Sequence, residues 1–305
     1  MNLPRSQDYL LSGLTLRSEI PLPELIVAET SGAESDVIIC LGQVPACLPG
    51  ATQPGGWVDV AQDRVLVKVP GVARFLITGG QRVTVAVEPG TDPAEVRLYL
   101  LGSAFGAIYF QRGFLPLHAS VVVIDGQAVV FAGDSGSGKS TMAAWLLTQG
   151  FPLLCDDVCV VRFDRHGLPL AYPAYPRIKL WQDTLTQFRI DAAGLHPDQI
   201  RVDKYHLHVP ERFWIDPVPL GPVCFLRFSN DDSDPEIECI PPARGVPLIR
   251  DNTYRYQYVS GLGLTASHFE DCIRLARASR LYHFSRPRRL SALGACQALL
   301  ADMLR

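Results

Sequence analysis

The sequence lacks the features of secreted, membrane-spanning and nucleic-acid-binding proteins. No uncharged apolar run approaches the length of about 18 residues that a transmembrane helix needs. The first residues do not show the basic-then-apolar layout of a signal peptide. Lysine and arginine total 28 against 31 acidic residues, so the net charge of -3 offers no basic field to nucleic acid or to an anionic membrane. We therefore expect neither a membrane nor a nucleic-acid partner.

The cysteines also lack a metal-binding or disulfide pattern. The chain has 8 cysteines and no C-x-x-C pair, and the closest two, Cys155 and Cys159, are separated by three residues. We expect no zinc site and no disulfide framework from this scatter in a chain of 305 residues. A guanine-reading N-K-x-D motif is missing as well, which disfavours a GTPase. The sequence predicts a protein of the reducing cytoplasm.

The most informative segment that is present is a glycine-rich loop at residues 133–140. It reads Gly-Asp-Ser-Gly-Ser-Gly-Lys-Ser and matches the phosphate-loop (Walker A) pattern G-x-x-x-x-G-K-[ST]. Such glycines bring backbone N–H groups against phosphate oxygens, while Lys139 offers charge to the outer phosphates and Ser140 offers a hydroxyl to Mg²⁺. An apolar run at 127–132 and a helix-forming run at 141–149 flank the loop. The predicted nucleotide-binding residues are Gly133, Asp134, Ser135, Gly136, Ser137, Gly138, Lys139, Ser140 and Thr141.

Two adjacent carboxylates follow the helix after this loop. Asp156 and Asp157 come directly after the apolar residues 153–155, and the short helix would return the chain to the sheet beside the loop strand. Adjacent residues on a strand point to opposite faces, so the two carboxylates should have different roles. One can accept a proton from an attacking hydroxyl, and the other can hold Mg²⁺. His118, at the start of a strand adjacent in sequence, could contact a phosphate or orient a carboxylate.

The chain is predicted to contain two domains. Residues 1–91 read as a β-rich accessory domain, and a helix that begins near Asp92 opens a second domain at residues 92–305. In the first domain, strands are predicted at 37–41, 64–69, 75–78 and 81–87. In the second, strands are predicted at 118–124, 127–132, 153–161, 223–228 and 237–240, and helices at 268–280 and 291–304.

Three motifs together resemble one family. Leu-His-Ala-Ser at 117–120, the loop at 133–140 and Leu-Cys-Asp-Asp at 154–157 resemble the core of HPr kinase/phosphorylase, which phosphorylates a serine on a small sugar-transport phosphocarrier. The order and spacing agree across this core, and a diffuse likeness extends over residues 98–305. The resemblance implies an α/β fold, in which a P-loop domain of HPr kinase type follows a mostly β N-terminal domain.

The resemblance implies roles at the matching positions. Asp156 matches the general base that acts on the acceptor serine, Asp157 matches its active-site neighbour, and His118 matches the histidine close to that base. Lys139 and Ser140 match the phosphate and metal contacts. The implied cofactors are ATP and Mg²⁺, with Ser140 and Asp157 as the predicted metal ligands. A homo-oligomer stays open, because HPr kinases form hexamers.

Residues 175–181 depart from the HPr kinase pattern. Where that family carries a glutamate followed by Ile-Arg-Gly, this chain reads Tyr-Pro-Arg-Ile-Lys-Leu-Trp, which has no acid and adds Arg177 and Lys179. The missing acid disfavours reverse, phosphorolytic activity, which the sequence leaves open, and it places more of the metal ligation on Ser140 and the aspartate pair. Together with Lys204, the segment resembles HPr-kinase-like proteins of ribosomal peptide pathways, which include kinases that phosphorylate the C-terminal serine of lasso-peptide precursors. Arg177, Lys179 and Lys204 are predicted to bind phosphates or a carboxylate of the acceptor.

The sequence thus predicts an ATP-dependent serine kinase that acts on a peptide or small protein. Two alternatives stay open. The loop and the aspartate pair do not define the acceptor, so the chain could be a kinase for a small metabolite. It could also be a non-catalytic ATP-binding regulatory protein.

Overall fold

A computed structural model describes residues 6–29, 34–51, 56–198, 203–229 and 233–304. Residue contacts divide the chain into two compact units. The first comprises Met1–Pro116 and Tyr254–His268, and the second comprises Leu117–Thr253 and Phe269–Arg305. This division groups the helical segment after Asp92 with the first unit, and the predicted domain boundary after residue 91 stays a prediction.

The first unit is built on one mixed sheet. Its strands are β1 (Gln7–Leu11), β2 (Leu14–Ser18), β3 (Ile26–Val27), β4 (Val37–Leu41), β5 (Val58–Ala61), β6 (Arg64–Val69), β7 (Ala73–Thr78) and β8 (Arg82–Val87). Within the described residues these eight strands lie in the order β3-β1-β2-β4-β8-β7-β6-β5. The predicted β structure is confirmed here, including the antiparallel β7–β8 hairpin, whose Gly79 and Gly80 have φ of 58° and 66°.

A helical segment follows this sheet. It consists of α1 (Pro93–Tyr99), a π-helical turn (Leu100–Ala104) and α2 (Phe105–Gln111). The carboxylate of Asp92 accepts a hydrogen bond from the Ala94 backbone N–H at 2.8 Å, which confirms the predicted helix start. The apolar face predicted from i+4 spacing is buried, at Val96, Leu100, Ala104 and Ile108.

Most later elements belong to the second unit. The strands are β9 (Leu115–Leu117), β10 (Ala119–Ile124), β11 (Gln127–Ala132), β12 (Leu153–Cys155), β13 (Cys159–Phe163), β14 (Pro169–Tyr172), β15 (Arg177–Trp181), β16 (His196–Pro197), β17 (Lys204–His208), β18 (Val218–Phe228), β19 (Glu236–Ile240) and β20 (Leu281–Arg286). The helices are α3 (Lys139–Thr148), α4 (Gln182–Gln187), α5 (Pro242–Asp251), α6 (Tyr258–Gly261), α7 (Thr265–Ala278) and α8 (Leu293–Leu304). None of the helices within the described ranges is both long and apolar enough to cross a membrane.

The glycine-rich loop lies at one edge of the main sheet of the second unit, where several of its strands end. Its order is β12-β10-β11-β18-β14-β13-β9, and β20 pairs with both β18 and β19. β11 and β20 each run parallel to β18, so all three strands end at the same edge. β12 and β11 are both antiparallel to β10, so β12 points to that edge too. A separate sheet, in the order β15-β17-β16, packs against α3 through β15.

The structure confirms the mixed α/β class and corrects two predictions about the segment after α3. Residues 153–161 do not form one strand, because the chain breaks at Asp156 and Asp157 between β12 and β13. β12 does not lie beside the loop strand either, because β10 separates β12 from β11. The loop helix and the C-terminal helices are confirmed as α3, α7 and α8, with ends shifted by a few residues.

The hydrophobic core of the second unit fixes α3 on the sheet. Phe131 on β11 packs with Met142 and Leu146 of α3. Cys296 and Leu300 of α8 join the same buried cluster. The helix that follows the loop is therefore held by apolar contacts along its length, which leaves its N-terminus in a defined place.

Candidate active site

The glycine-rich loop (residues 133–140) turns tightly between β11 and α3. Gly133, Gly136 and Gly138 have φ of 132°, 87° and 90°, which residues with side chains rarely adopt. The Lys139 ammonium donates hydrogen bonds to the backbone oxygens of Gly133 at 2.8 Å and Asp134 at 3.0 Å. Burial lowers the pKa of Lys139, although the charges of the nearby aspartates act in the opposite direction. Because α3 begins at Lys139, the unbonded N–H groups of its first turn lie at the loop.

The start of the loop is anchored to neighbouring elements. The Gly133 N–H donates to Asn252 Oδ1 at 2.6 Å, just beyond the end of α5. A Cβ at Gly133 would stand 2.6 Å from the backbone oxygen of Leu226 on β18 and 3.1 Å from Ser137 Oγ. Only glycine fits between these groups without moving the backbone.

We expect Gly133→Ala to destabilise the protein by about 1–3 kcal/mol, because strained φ and a close backbone contact act together. Gly136→Ala is the matched control, since its φ is also positive but nothing lies within 4 Å of the added Cβ. Denaturant unfolding of both variants measures the difference. Equal destabilisation would mean that the contact with Leu226 does not constrain the loop.

Asp156 is buried among three donors. Its Oδ1 accepts hydrogen bonds from Ser120 Oγ at 2.5 Å and Ser140 Oγ at 2.9 Å, and its Oδ2 accepts one from the Lys179 backbone N–H at 2.9 Å. The residue is 6% exposed. The carboxylate is thus joined directly to the loop serine, and both of its oxygens are already bonded.

Asp157 has a more open position beside the same residues. Its φ of 77° turns the chain after β12, so the strand alternation expected for the pair does not apply. Its carboxylate is 36% exposed, with one oxygen 3.4 Å from His118 Nδ1 and the other 3.4 Å from Lys179 Nζ. Burial acts to raise the pKa of Asp157, but the charge of Lys179, with those of His118 and Lys204, lowers it to about 2. The carboxylate is therefore ionised at neutral pH.

His118 lies next to this open carboxylate. Burial, and then the charge of Lys139, lower the pKa of His118, so its ring is neutral at pH 7. Its Nδ1 is 2.9 Å from the backbone oxygen of Asp157. A carbonyl oxygen can only accept, so Nδ1 carries the proton of the neutral ring. This hydrogen bond holds the unusual backbone conformation of Asp157.

A cluster of charged side chains on β15 and β17 continues from the aspartate pair. The Lys179 ammonium is 3.4 Å from the carboxylates of both Asp157 and Asp198. His206 Nε2 is 3.1 Å from Asp198 Oδ2, and Arg177 Nη1 is 3.4 Å from His206 Nδ1. Two of the predicted cations thus belong to one connected network. Lys179 contacts Asp157 at one end of the network, and Arg177 contacts His206 at the other end.

Lys204 lies at the start of β17, opposite Trp181 on β15. Its ammonium is 5.6 Å from the centre of the Trp181 ring. Its charge lowers the pKa values of both Asp157 and Lys139, so all three groups lie in one electrostatic environment. All three predicted acceptor-binding cations therefore lie on the sheet that adjoins the aspartate pair.

The donor set suits Mg²⁺ and a phosphate-bearing ligand. Ser140 and the aspartate pair present oxygen atoms, which Mg²⁺ prefers, and this ion commonly keeps several waters. Among the described residues, no group of three or more histidine, cysteine, aspartate and glutamate side chains is arranged as a metal site. Ser137 Oγ is buried in the loop without a hydrogen-bond partner in the described structure. A bound phosphate oxygen could satisfy that hydroxyl.

Not every predicted nucleotide contact faces the loop centre. The hydroxyl of Thr141 lies 3.3 Å from that of Thr184 on α4, within the protein interior. Asp134, Ser135 and Gly136 are exposed at the tip of the loop. The sequence analysis did not single out Asp198, His206 or Asn252, and it predicted no role for Ser120 within the Leu-His-Ala-Ser motif.

Comparisons with known proteins give partial matches. The sequence model of the family described as "ScmC: SynChlorMet cassette protein ScmC" matches residues 90–183, less than half of the chain. No curated protein matches. A solved structure described as the Hpr(Ser) kinase/phosphatase from Coxiella burnetii is weakly similar, with 14% sequence identity and a TM-score of 0.35. That alignment covers 62% of this chain and 96% of the Coxiella chain.

Proposed function

We propose that this protein is an ATP- and Mg²⁺-dependent kinase that transfers the γ-phosphoryl group to a serine hydroxyl of a peptide or small protein. The observation that carries the proposal is the 2.9 Å hydrogen bond between Ser140 Oγ and Asp156 Oδ1. It joins the N-terminus of α3, where phosphates are favoured, to a pair of carboxylates. Phosphoryl transfer depends mainly on positioning and electrostatics, so this set of groups is sufficient for the reaction.

The loop and Asp156 would bind the nucleotide and its metal ion. Backbone N–H groups of the loop and the Lys139 ammonium would hold the phosphates. Ser140 and Asp156 would hold Mg²⁺, which neutralises charge on the transferred phosphoryl group when bound. The sequence predicted Ser140 with Asp157 for this role. The direct contact of Ser140 with Asp156 is the reason that we propose Asp156 instead.

Asp157 is the proposed proton acceptor. A general base must reach the hydroxyl that it deprotonates, and Asp156 is only 6% exposed, with its Ser140 side assigned to Mg²⁺. The Asp157 carboxylate is ionised and more than a third exposed, beside the same metal-binding residues. This assignment exchanges the two roles that the sequence predicted. Neutral His118 then keeps Asp157 in place through its backbone oxygen.

The cations near Asp157 favour an acceptor that carries a carboxylate close to its hydroxyl. Lys204 adds positive charge to the environment of Asp157, and Arg177 lies further along the same sheet. A serine at a peptide C-terminus has both groups on one residue. A lasso-peptide precursor is therefore the acceptor that we favour, as the resemblance to peptide-tailoring kinases suggests.

Eight free cysteines and the proposed use of ATP support a cytoplasmic location.

We expect Lys204→Ala to raise KM about 10-fold for a peptide that ends in a serine with a free carboxylate, because one charge-assisted contact is lost. KM for the same peptide with a C-terminal amide should not change. Steady-state kinetics on both peptides measure this difference. Arg165→Ala, in the exposed β13–β14 turn, serves as the charge-matched control. An equal rise in KM for both peptides would remove Lys204 from carboxylate recognition.

The decisive test of the proposed function combines γ-labelled ATP and Mg²⁺ with serine-terminated peptides, followed by mass spectrometry. Phosphoserine formation that needs Mg²⁺ is the expected result. Transfer to small-molecule hydroxyls alone would replace the peptide acceptor by a metabolite. Tight ATP binding without transfer to any hydroxyl would favour a regulatory nucleotide-binding protein instead of a kinase.

A further inference from the structure

A buried arginine from a distant part of the chain lies against the glycine-rich loop. Arg286 ends β20 and is 2% exposed. Its Nη2 atom occupies the place where a Cβ on Gly138 would stand, so the guanidinium directly contacts the residue before Lys139. Glycine at 138 is what permits this approach.

Arg286 has few partners for a buried cation. Its Nη1 donates to the backbone oxygen of Pro287 at 3.2 Å, while Nε is buried with no hydrogen-bond partner in the described structure. No carboxylate among the described residues forms an ion pair with it. The guanidinium stacks on Phe228, 4.8 Å from the ring centre, and burial lowers its pKa. Burying a charge without a counter-charge is strongly unfavourable, so the position of Arg286 favours an anionic ligand.

The strand order places the Arg286 guanidinium at the glycine-rich loop. β11, which leads into the loop, and β20, which ends at Arg286, both run parallel to β18, with Phe228 and Arg286 in register. The carboxyl ends of neighbouring parallel strands form the edge at which ligands bind in α/β sheets. Arg286 and the N-terminus of α3 thus present positive charge at one point, next to the unpaired hydroxyl of Ser137.

We propose that Arg286 binds a phosphate group of the nucleotide seated in the glycine-rich loop, and that this phosphate is the counter-charge of the buried guanidinium. The proposal rests on the proposed nucleotide-binding function and adds to it one specific contact, between the Arg286 guanidinium and a phosphate group. A guanidinium can donate two parallel hydrogen bonds to phosphate oxygens, which a lysine cannot do. The contact involves the polyphosphate and not the base, so any nucleoside triphosphate would form the same contact with Arg286.

The test compares Arg286→Met, Arg286→Lys and Arg288→Met. Arg288 is the matched control, because its exposed guanidinium stacks 4.2 Å from the same Phe228 ring. Isothermal titration with ATP and with AMP, both with Mg²⁺, gives the affinities. Thermal unfolding without nucleotide reports the structural effect of each change.

We expect Arg286→Met to weaken ATP binding about 10- to 100-fold, as for the loss of a hydrogen bond to a charged group. The affinity for AMP should fall less, and Arg288→Met should bind ATP like the wild type. The ligand-free Arg286→Met protein should unfold at an equal or higher temperature, because a buried cation without a counter-charge is removed. Arg286→Lys should bind ATP with intermediate affinity.

Three results would overturn the inference. Wild-type ATP affinity in Arg286→Met, with binding lost in a Lys139→Met variant, would leave the proposed function standing and remove Arg286 from it. A lower unfolding temperature in the ligand-free Arg286→Met protein, with parallel losses for ATP and AMP, would identify a purely structural arginine. If the Arg286→Met protein does not fold, the Arg286→Lys protein tests the contact between Arg286 and phosphate. ATP affinity equal to that of the wild type in Arg286→Lys would then count against this contact. Absence of ATP binding by the wild type would instead refute the proposed function itself.

Discussion

Asp157→Asn should lower the rate of phosphoryl transfer by about 10²- to 10⁴-fold, the usual contribution of a general base. The amide has the shape of the carboxylate but cannot accept the proton of the attacking hydroxyl. ATP affinity should stay within about threefold of wild type, since Asp157 is not a proposed contact of the nucleotide. Single-turnover transfer and equilibrium ATP binding, measured on the same preparation, separate the two effects.

Asp156→Asn is the informative comparison for this variant. Asp156 accepts hydrogen bonds from Ser120, Ser140 and Lys179, so its loss should weaken both Mg²⁺-dependent ATP binding and folding stability. If Asp156→Asn kept ATP affinity and lost only transfer, the original sequence assignment of Asp156 as the base would be restored. An Asp157→Asn protein that transfers phosphate at the wild-type rate would exclude Asp157 from proton abstraction.

Lys139→Met should reduce kcat/KM for ATP by about 10²- to 10³-fold, because it removes the charge proposed to stabilise the transferring phosphoryl group. Methionine keeps much of the aliphatic length and the burial of the lysine side chain. The variant loses the hydrogen bonds to the backbone oxygens of Gly133 and Asp134, so ligand-free stability must be measured beside activity. A folded Lys139→Met protein with wild-type turnover would mean that the glycine-rich loop is not the active site.

The loop was predictable because its signals are local. The strand, the glycines that need positive φ, and the helix all lie between residues 127 and 148, and each is encoded by its own residues. The hairpin at Asp125 and Gly126 is similar, since a two-residue turn with positive φ at both positions joins β10 to β11 directly. The β-rich character of residues 7–87 also followed from local alternation.

The surroundings of the loop were not predictable because they depend on pairing between distant segments. Asp198 and His206 meet Lys179 only because β16 and β17 pair with β15 in a separate small sheet. Asn252 reaches Gly133 from beyond α5, and Arg286 reaches Gly138 from β20. Arg286 does stand in a basic cluster, Arg-Pro-Arg-Arg at 286–289, but that pattern is typical of a solvated helix start and does not indicate which segment the arginine contacts. The residues around Asp198, His206 and Asn252 carry no such local signal.

The roles of the aspartate pair depended on one backbone angle. Strand alternation predicts opposite faces for Asp156 and Asp157, but β12 ends at Cys155 and Asp157 has a left-handed φ of 77°. Both side chains consequently contact groups of the same site. The sequence could predict that two carboxylates lie near the loop, but not which of them contacts Ser140.

The parallel pairing of β11, β18 and β20 also has a consequence for synthesis on the ribosome. The glycine-rich loop leaves the exit tunnel long before Arg286, and β20 can join β18 only after translation has passed that residue. Contacts between such distant segments form slowly. A nascent chain would therefore expose the loop edge without Arg286, and the proposed nucleotide site would be complete only late in elongation.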